Sequence, residues 1–139
     1  MSEELAQSII TRVLKKRYSV VVNEVPILSR CIDIVFINEY NEIVSIEIKL
    51  KDWRKGIYQA KDHQLVADKS YIYLPKKKGG ISKGLEACLK DTGIGLCFFS
   101  QTKRTDRFKI TEVKTAEKSK LTWENSRKKI EEIIYASSN

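Results

Sequence analysis

Apolar residues recur at Leu5, Ile9, Ile10, Val13 and Leu14, at helical spacing behind Ser2, Glu3 and Glu4. That spacing predicts an amphipathic helix to about Arg17, capped by the serine, with two acids at the positive end of its dipole. The period then shortens. Tyr18 to Val25 is rich in β-branched residues and meets Pro26, Cys31 to Asn38 is an almost unbroken apolar run, and Ile43 to Leu50 alternates in period two. These read as three strands. The polar connection Asn38-Glu39-Tyr40-Asn41-Glu42 has hairpin length, so the second and third strands are expected to be antiparallel neighbours.

Asp52 is placed to cap a helix from Trp53 to about Ala67, with Trp53, Ile57, Ala60, Gln64 and Ala67 on its buried face. Ser70 to Leu74 is a fourth strand closed by Pro75, followed by the basic, glycine-bearing loop Lys76-Lys77-Lys78-Gly79-Gly80. A short helix at about Ser82 to Lys90 leads to a fifth strand, Ile94 to Phe99, and Arg107 to Val113 reads as an edge strand. The last helix, about Thr122 to Tyr135, sets Trp123, Ile130, Ile133 and Ile134 on one side. The order αβββαβαβ, antiparallel strands first and helical crossovers later, predicts an α/β fold: a mixed sheet flanked by helices.

At 139 residues, 42% of them hydrophobic, the chain suits a single domain with one core. Its core elements are expected over about residues 2–100, with a basic strand and helix over about 101–139. The apolar runs fall far short of the roughly 18 residues needed to cross a bilayer, and the acidic start lacks the basic opening of a signal peptide. The expectation is a soluble, cytoplasmic protein. Three cysteines, Cys31, Cys88 and Cys97, beside one histidine support neither a disulfide framework nor a zinc site; reduced, mostly buried thiols are expected.

The formal charge is +8, unevenly distributed. The first fifty residues carry six basic and seven acidic side chains, the next fifty ten and five, and the rest ten and six. Lys76-Lys77-Lys78, Lys103-Arg104-Arg107-Lys109 and Arg127-Lys128-Lys129 make the later chain basic. A basic surface attracts a polyanion through counterion release, whereas clustered acids repel phosphate unless a divalent cation lies between. A solvated lysine-rich surface is the plain alternative.

Glu24, Asp33, Glu47 and Lys49 matter because they lie within strands. Period two sets Ser45, Glu47 and Lys49 on one face of their strand and Val44, Ile46, Ile48 and Leu50 on the other. Asp33 interrupts a run that otherwise reads as buried, so it needs a cation or converging hydrogen bonds. If the second and third strands pair across Asn38 to Glu42, Asp33 and Glu47 meet near one end of the sheet and can share Mg²⁺ or Mn²⁺, with Glu24 completing the coordination. Such a site suits phosphodiester hydrolysis, with Lys49 orienting water or stabilising developing charge. Singly, each residue is better explained by a solvated Glu47–Lys49 pair and an Asp33 held by Arg30. The ordered set of four favours chemistry.

Asp33, then Glu47-Ile48-Lys49 closing the next strand, then a helix opening Asp52-Trp53-Arg54-Lys55 and carrying Gln59, resembles the PD-(D/E)xK nuclease superfamily over about residues 2–74. Ile32 stands where the proline that names the motif would be. The resemblance implies a restriction-endonuclease-like mixed sheet with an αβββαβ core and a Mg²⁺-dependent DNA endonuclease or exonuclease. It implies Asp33 and Glu47 as metal ligands, Lys49 as the catalytic lysine, Glu24 as the preceding acid and Gln59 as a functional helix glutamine. Size, basic balance and Glu24 are similar to archaeal-type Holliday junction resolvases, which implies DNA as partner and a homodimer.

Arg54 and Lys55 could contact a phosphate near a helix N-terminus, and Lys76, Lys77 and Lys78 a DNA backbone; packing of Trp53 and solvated cations is the competing reading. His63 reads as a surface or packing residue, and Tyr71 and Tyr73 as sheet packing. A non-catalytic DNA-binding or assembly module with the same fold is the alternative function, and an RNA-directed enzyme a third.

Overall fold

The computed structural model describes residues 1–27, 30–101, 107–120 and 122–138. Leu28, Ser29 and the stretch 102–106, which contains Lys103 and Arg104 of one basic cluster, lie outside the described residues. Ten elements follow in the order α1 (Glu3–Lys15), β1 (Val21–Ile27), β2 (Arg30–Ile37), β3 (Ile43–Ile48), α2 (Trp53–His63), β4 (Lys69–Pro75), α3 (Lys83–Thr92), β5 (Gly95–Gln101), β6 (Phe108–Lys114) and α4 (Glu124–Ser138). The strands form one six-stranded sheet in sequence order. β1–β2, β2–β3 and β5–β6 are antiparallel, while β3–β4 and β4–β5 are parallel.

Alternation along the central strands divides the core. Val44, Ile46 and Ile48 of β3, Tyr71 and Tyr73 of β4 and Cys97 and Phe99 of β5 pack with Ala6, Ile10 and Leu14 of α1. On the other face Ile72, Leu74, Leu96 and Phe98 meet α2 and α3, while Val35 and Ile43 meet Ile130 and Ile134 of α4. Ser2 and Asp52 cap α1 and α2 as expected, accepting from the amides of Leu5 and Lys55, and Ser82 likewise caps α3 by accepting from Leu85.

Several expectations are corrected. β1 runs through Pro26 instead of stopping before it, because β1 is an edge strand and the missing amide costs no ladder bond there. α2 ends at His63; the chain then turns, with the amides of Val66 and Ala67 donating to the His63 carbonyl, so Gln64 and Ala67 lie outside the helix. Trp123 precedes α4 and is exposed. Of the three thiols only Cys97 is buried, and Cys31 is exposed on edge-side β2. β3 keeps its expected two faces, with Val44, Ile46 and Ile48 packed on the α1 side, but neither face is solvated: all six of its residues are buried.

Candidate active site

The acids gather where the sheet bends. The β2–β3 register ends with Ile34 opposite Ile46; Asp33 and Glu47 are the next residue along each strand and lie close enough to interact. Between β1 and β2 the pairs Asn23–Ile34 and Val25–Ile32 flank Glu24 and Asp33, which are skipped, and Glu24 adopts a φ of 52°. Ile34 packs on the α1 side but Ile32, two residues away, packs on the α4 side. The side-chain alternation therefore reverses at Asp33, as at a bulge that re-aims a strand. The Asp33 Oδ2 then accepts the amide of Ile48 at 2.9 Å.

Glu47, on the face covered by α2, is only 4% exposed. Its Oε1 lies 3.8 Å from Lys49 Nζ and its Oε2 3.7 Å from His63 Nε2. Burial, then the adjacent Asp33 carboxylate, pushes Glu47 up to about 8, against the opposing pull of Lys49. Asp33 is also raised, chiefly by burial, although the Ile48 amide draws it down. Burial, with a smaller contribution from the Arg30 charge, lowers His63 to about 4, so its imidazole is neutral at pH 7. The Lys49 stem passes beneath α2 at Gly56, where an added Cβ would sit 2.9 Å from Lys49 Cγ.

Asp33, Glu47 and Lys49 are thus brought together, and Gln59 lies one helical turn before His63 on α2. Glu47 Oε2, Gln59 Oε1 and His63 Nδ1 are buried without hydrogen-bond partners. Glu24 lies near enough to Asp33 for its charge to help raise that carboxyl. Its Oε1 accepts from Gln7 Nε2 at 2.9 Å, and the same Gln7 nitrogen donates to the Asp33 carbonyl at 3.0 Å. Arg30 does not hold Asp33; it pairs with Asp62 and lies over the Tyr58 ring. Two contributors from α1 escape a reading of local sequence: Gln7, and Glu3, whose Oε2 accepts the Leu50 amide and whose charge helps raise Glu47.

The residues fit a divalent cation of the oxygen-preferring kind. Two carboxylates lie close together and largely buried, and one carboxylate oxygen has no hydrogen-bond partner. Among the described residues no three His, Cys, Asp or Glu side chains form a metal-holding group. Mg²⁺ tolerates that, since it commonly takes one or two carboxylates and fills its remaining positions with water or phosphate oxygens.

The predicted cationic contacts lie at the carboxyl ends of the parallel strands. Lys49 follows β3, Arg54 and Lys55 open α2, and Lys76, Lys77 and Lys78 follow β4, all three exposed. Arg54 lies 4.4 Å over the Trp53 ring and Gly84 of α3 borders that pair. Open α/β sheets bind ligands at this end.

No protein-family model and no curated protein matches the chain. Two solved structures are similar in fold. One is the SPO1766 protein of unknown function from Silicibacter pomeroyi, with a TM-score of 0.63 and 18% identity over 96% of this chain and 83% of that one. The other is a repair endonuclease from Pyrococcus abyssi, with a TM-score of 0.52 and 19% identity over 69% of this chain. This chain spans 46% of that endonuclease. Among the described residues no helix is long and apolar enough to cross a membrane. The architecture, a mixed six-stranded sheet flanked by four helices, is α/β and consistent with a restriction-endonuclease-like fold.

Proposed function

We propose that this chain is a metal-dependent DNA nuclease of the PD-(D/E)xK kind. The observation that carries the reading is the convergence of the largely buried Asp33 and Glu47 beside Lys49, with one carboxylate oxygen unpartnered. Asp33 and Glu47 would hold Mg²⁺, or Mn²⁺ in its place. When bound, the cation supplies Lewis-acid polarisation of a phosphate and lowers the pKa of a water. The Asp33 carboxylate is held in place by the Ile48 amide. The Lys49 ammonium, its stem confined beneath Gly56, stabilises negative charge as it grows on the phosphate oxygens. Gln59, whose buried amide oxygen is unpartnered, would serve as the functional helix glutamine. Arg54, Lys55, Lys76, Lys77 and Lys78 would steer a DNA backbone toward the acid pair by counterion release. Two copies, one per strand, would cut a duplex symmetrically.

The test is cleavage of duplex, single-stranded and branched DNA with Mg²⁺ or Mn²⁺. At least one substrate is cut, and Lys49→Ala lowers the rate by about 100-fold or more without changing the melting temperature by more than a few degrees. No metal-dependent cleavage of any substrate overturns the proposal. The bond from Gln7 that occupies Glu24 Oε1 favours a second reading, a DNA-binding module without catalysis. That reading predicts binding unaffected by EDTA and by Lys49→Ala.

A further inference from the structure

His63 is the only histidine in the chain and is 1% exposed, on the α2 face turned toward the sheet. Packing alone does not require a polar ring there. An imidazole buried this completely needs a use for its polar atoms, or it loses their hydration without return. Its Nδ1 is buried with no hydrogen-bond partner, while Nε2 faces Glu47 Oε2, itself unpartnered. A bare buried acceptor is tolerated better than a buried N–H with nothing to receive it. The ring proton therefore belongs on Nε2, directed at the carboxylate.

Resting on the reading of Asp33 and Glu47 as a metal site, we infer that His63 is a positioning residue that holds the Glu47 carboxylate by an Nε2–H donor and sets the oxygen it presents to the cation. Glu47 is flanked at both oxygens, with Lys49 Nζ 3.8 Å from Oε1 and His63 Nε2 3.7 Å from Oε2. The aligned carboxylate loses less freedom when a cation arrives, and such outer partners typically alter metal affinity about 10–100-fold. The 3.7 Å separation closes to a hydrogen bond by a small rotation of the glutamate.

Two measurements test this. Histidine-selective ¹⁵N NMR of the unsubstituted protein reads one imidazole; the proton is expected on Nε2, with a shift that moves when Mg²⁺ is added. A proton on Nδ1, or a signal indifferent to bound Mg²⁺, overturns the inference. By calorimetry, His63→Leu is expected to weaken Mn²⁺ binding by about 10–100-fold, and His63→Gln, which keeps an N–H donor, to recover most of it. Mn²⁺ binding that is absent from the unsubstituted protein, or unchanged in Glu47→Gln, overturns the site itself. Binding that needs Glu47 but ignores His63→Leu overturns only the role of His63. Should the leucine variant not fold, the NMR measurement decides.

Discussion

Glu47 illustrates how far one side chain can set solution behaviour. Its folded value of about 8 lies above the ordinary 4.5, so the folded state holds more protons than the unfolded chain between those values. Stability without metal is therefore greatest below the lower value and falls as pH rises through the upper one. Asp33, raised in the same direction, adds to the effect. Thermal melts in EDTA should show the melting temperature falling from pH 5 to pH 8. Glu47→Gln should flatten that slope and melt higher than the parent at pH 8, and Mg²⁺ should raise the parent more at pH 8 than at pH 5. A parent profile that is flat or rises across this window contradicts the buried acid pair. Gly56 is a second case. A Cβ there would lie 2.5 Å from Ile72 Cδ1 and 2.9 Å from Lys49 Cγ, so Gly56→Ala must displace both. The expected outcome is a loss of about 1–3 kcal/mol in chemical denaturation from overpacking. Cleavage measured at 10 °C, where the variant stays folded, should fall while DNA affinity is kept.

At the level of elements, periodicity carried most of the fold. β3 and β4 were legible because their apolar residues alternate, and α1 because its apolar residues recur every three or four positions. The ends were less legible, since they depend on neighbours: Pro26 is tolerated because β1 is the outermost strand among the described residues, a fact of topology. The candidate site divides similarly. The convergence of Asp33 and Glu47 follows from a hairpin whose register a short turn nearly fixes, so sequence sufficed. Gln7 and Glu3 act across 26 and 47 positions, where no local pattern reports them. His63 did leave a signal: Gly56, Ala60 and His63 share the buried stripe of α2, four and then three residues apart. The tie from α1 to the bend has its own consequence. Gln7→Leu removes both donations from one nitrogen, leaving Glu24 and the Asp33 carbonyl without them, and should cost about 1–2 kcal/mol in urea unfolding. Hydrogen exchange should speed up first in β1 and β2 around Glu24, ahead of β4 and β5. Uniform loss of protection across the sheet would mean that Gln7 does not pin the bend.

For the whole molecule, placement of charge matters more than its total of +8. Several cations are committed internally: Arg17 to Glu39, Arg30 to Asp62, Lys69 to Glu42 and Arg127 to Asp68. Lys76, Lys77 and Lys78 are exposed and take part in no ion pair among the described residues, at the sheet end where Lys49 also lies. A DNA backbone crossing that end would contact them regardless of sequence. Each lysine seated on a phosphate contributes about 0.9 to the slope of log affinity against log salt. Replacing all three with glutamine should therefore weaken duplex binding and lower the slope by as much as about 3. Lys49→Ala should leave the slope within about one contact of the parent while abolishing cleavage. The separation of these effects is the informative result, because a purely solvated lysine loop would leave both affinity and slope unchanged. Binding titrations at several salt concentrations, with both variants beside the parent, distinguish a cationic track leading to the acid pair from a surface that serves only solubility.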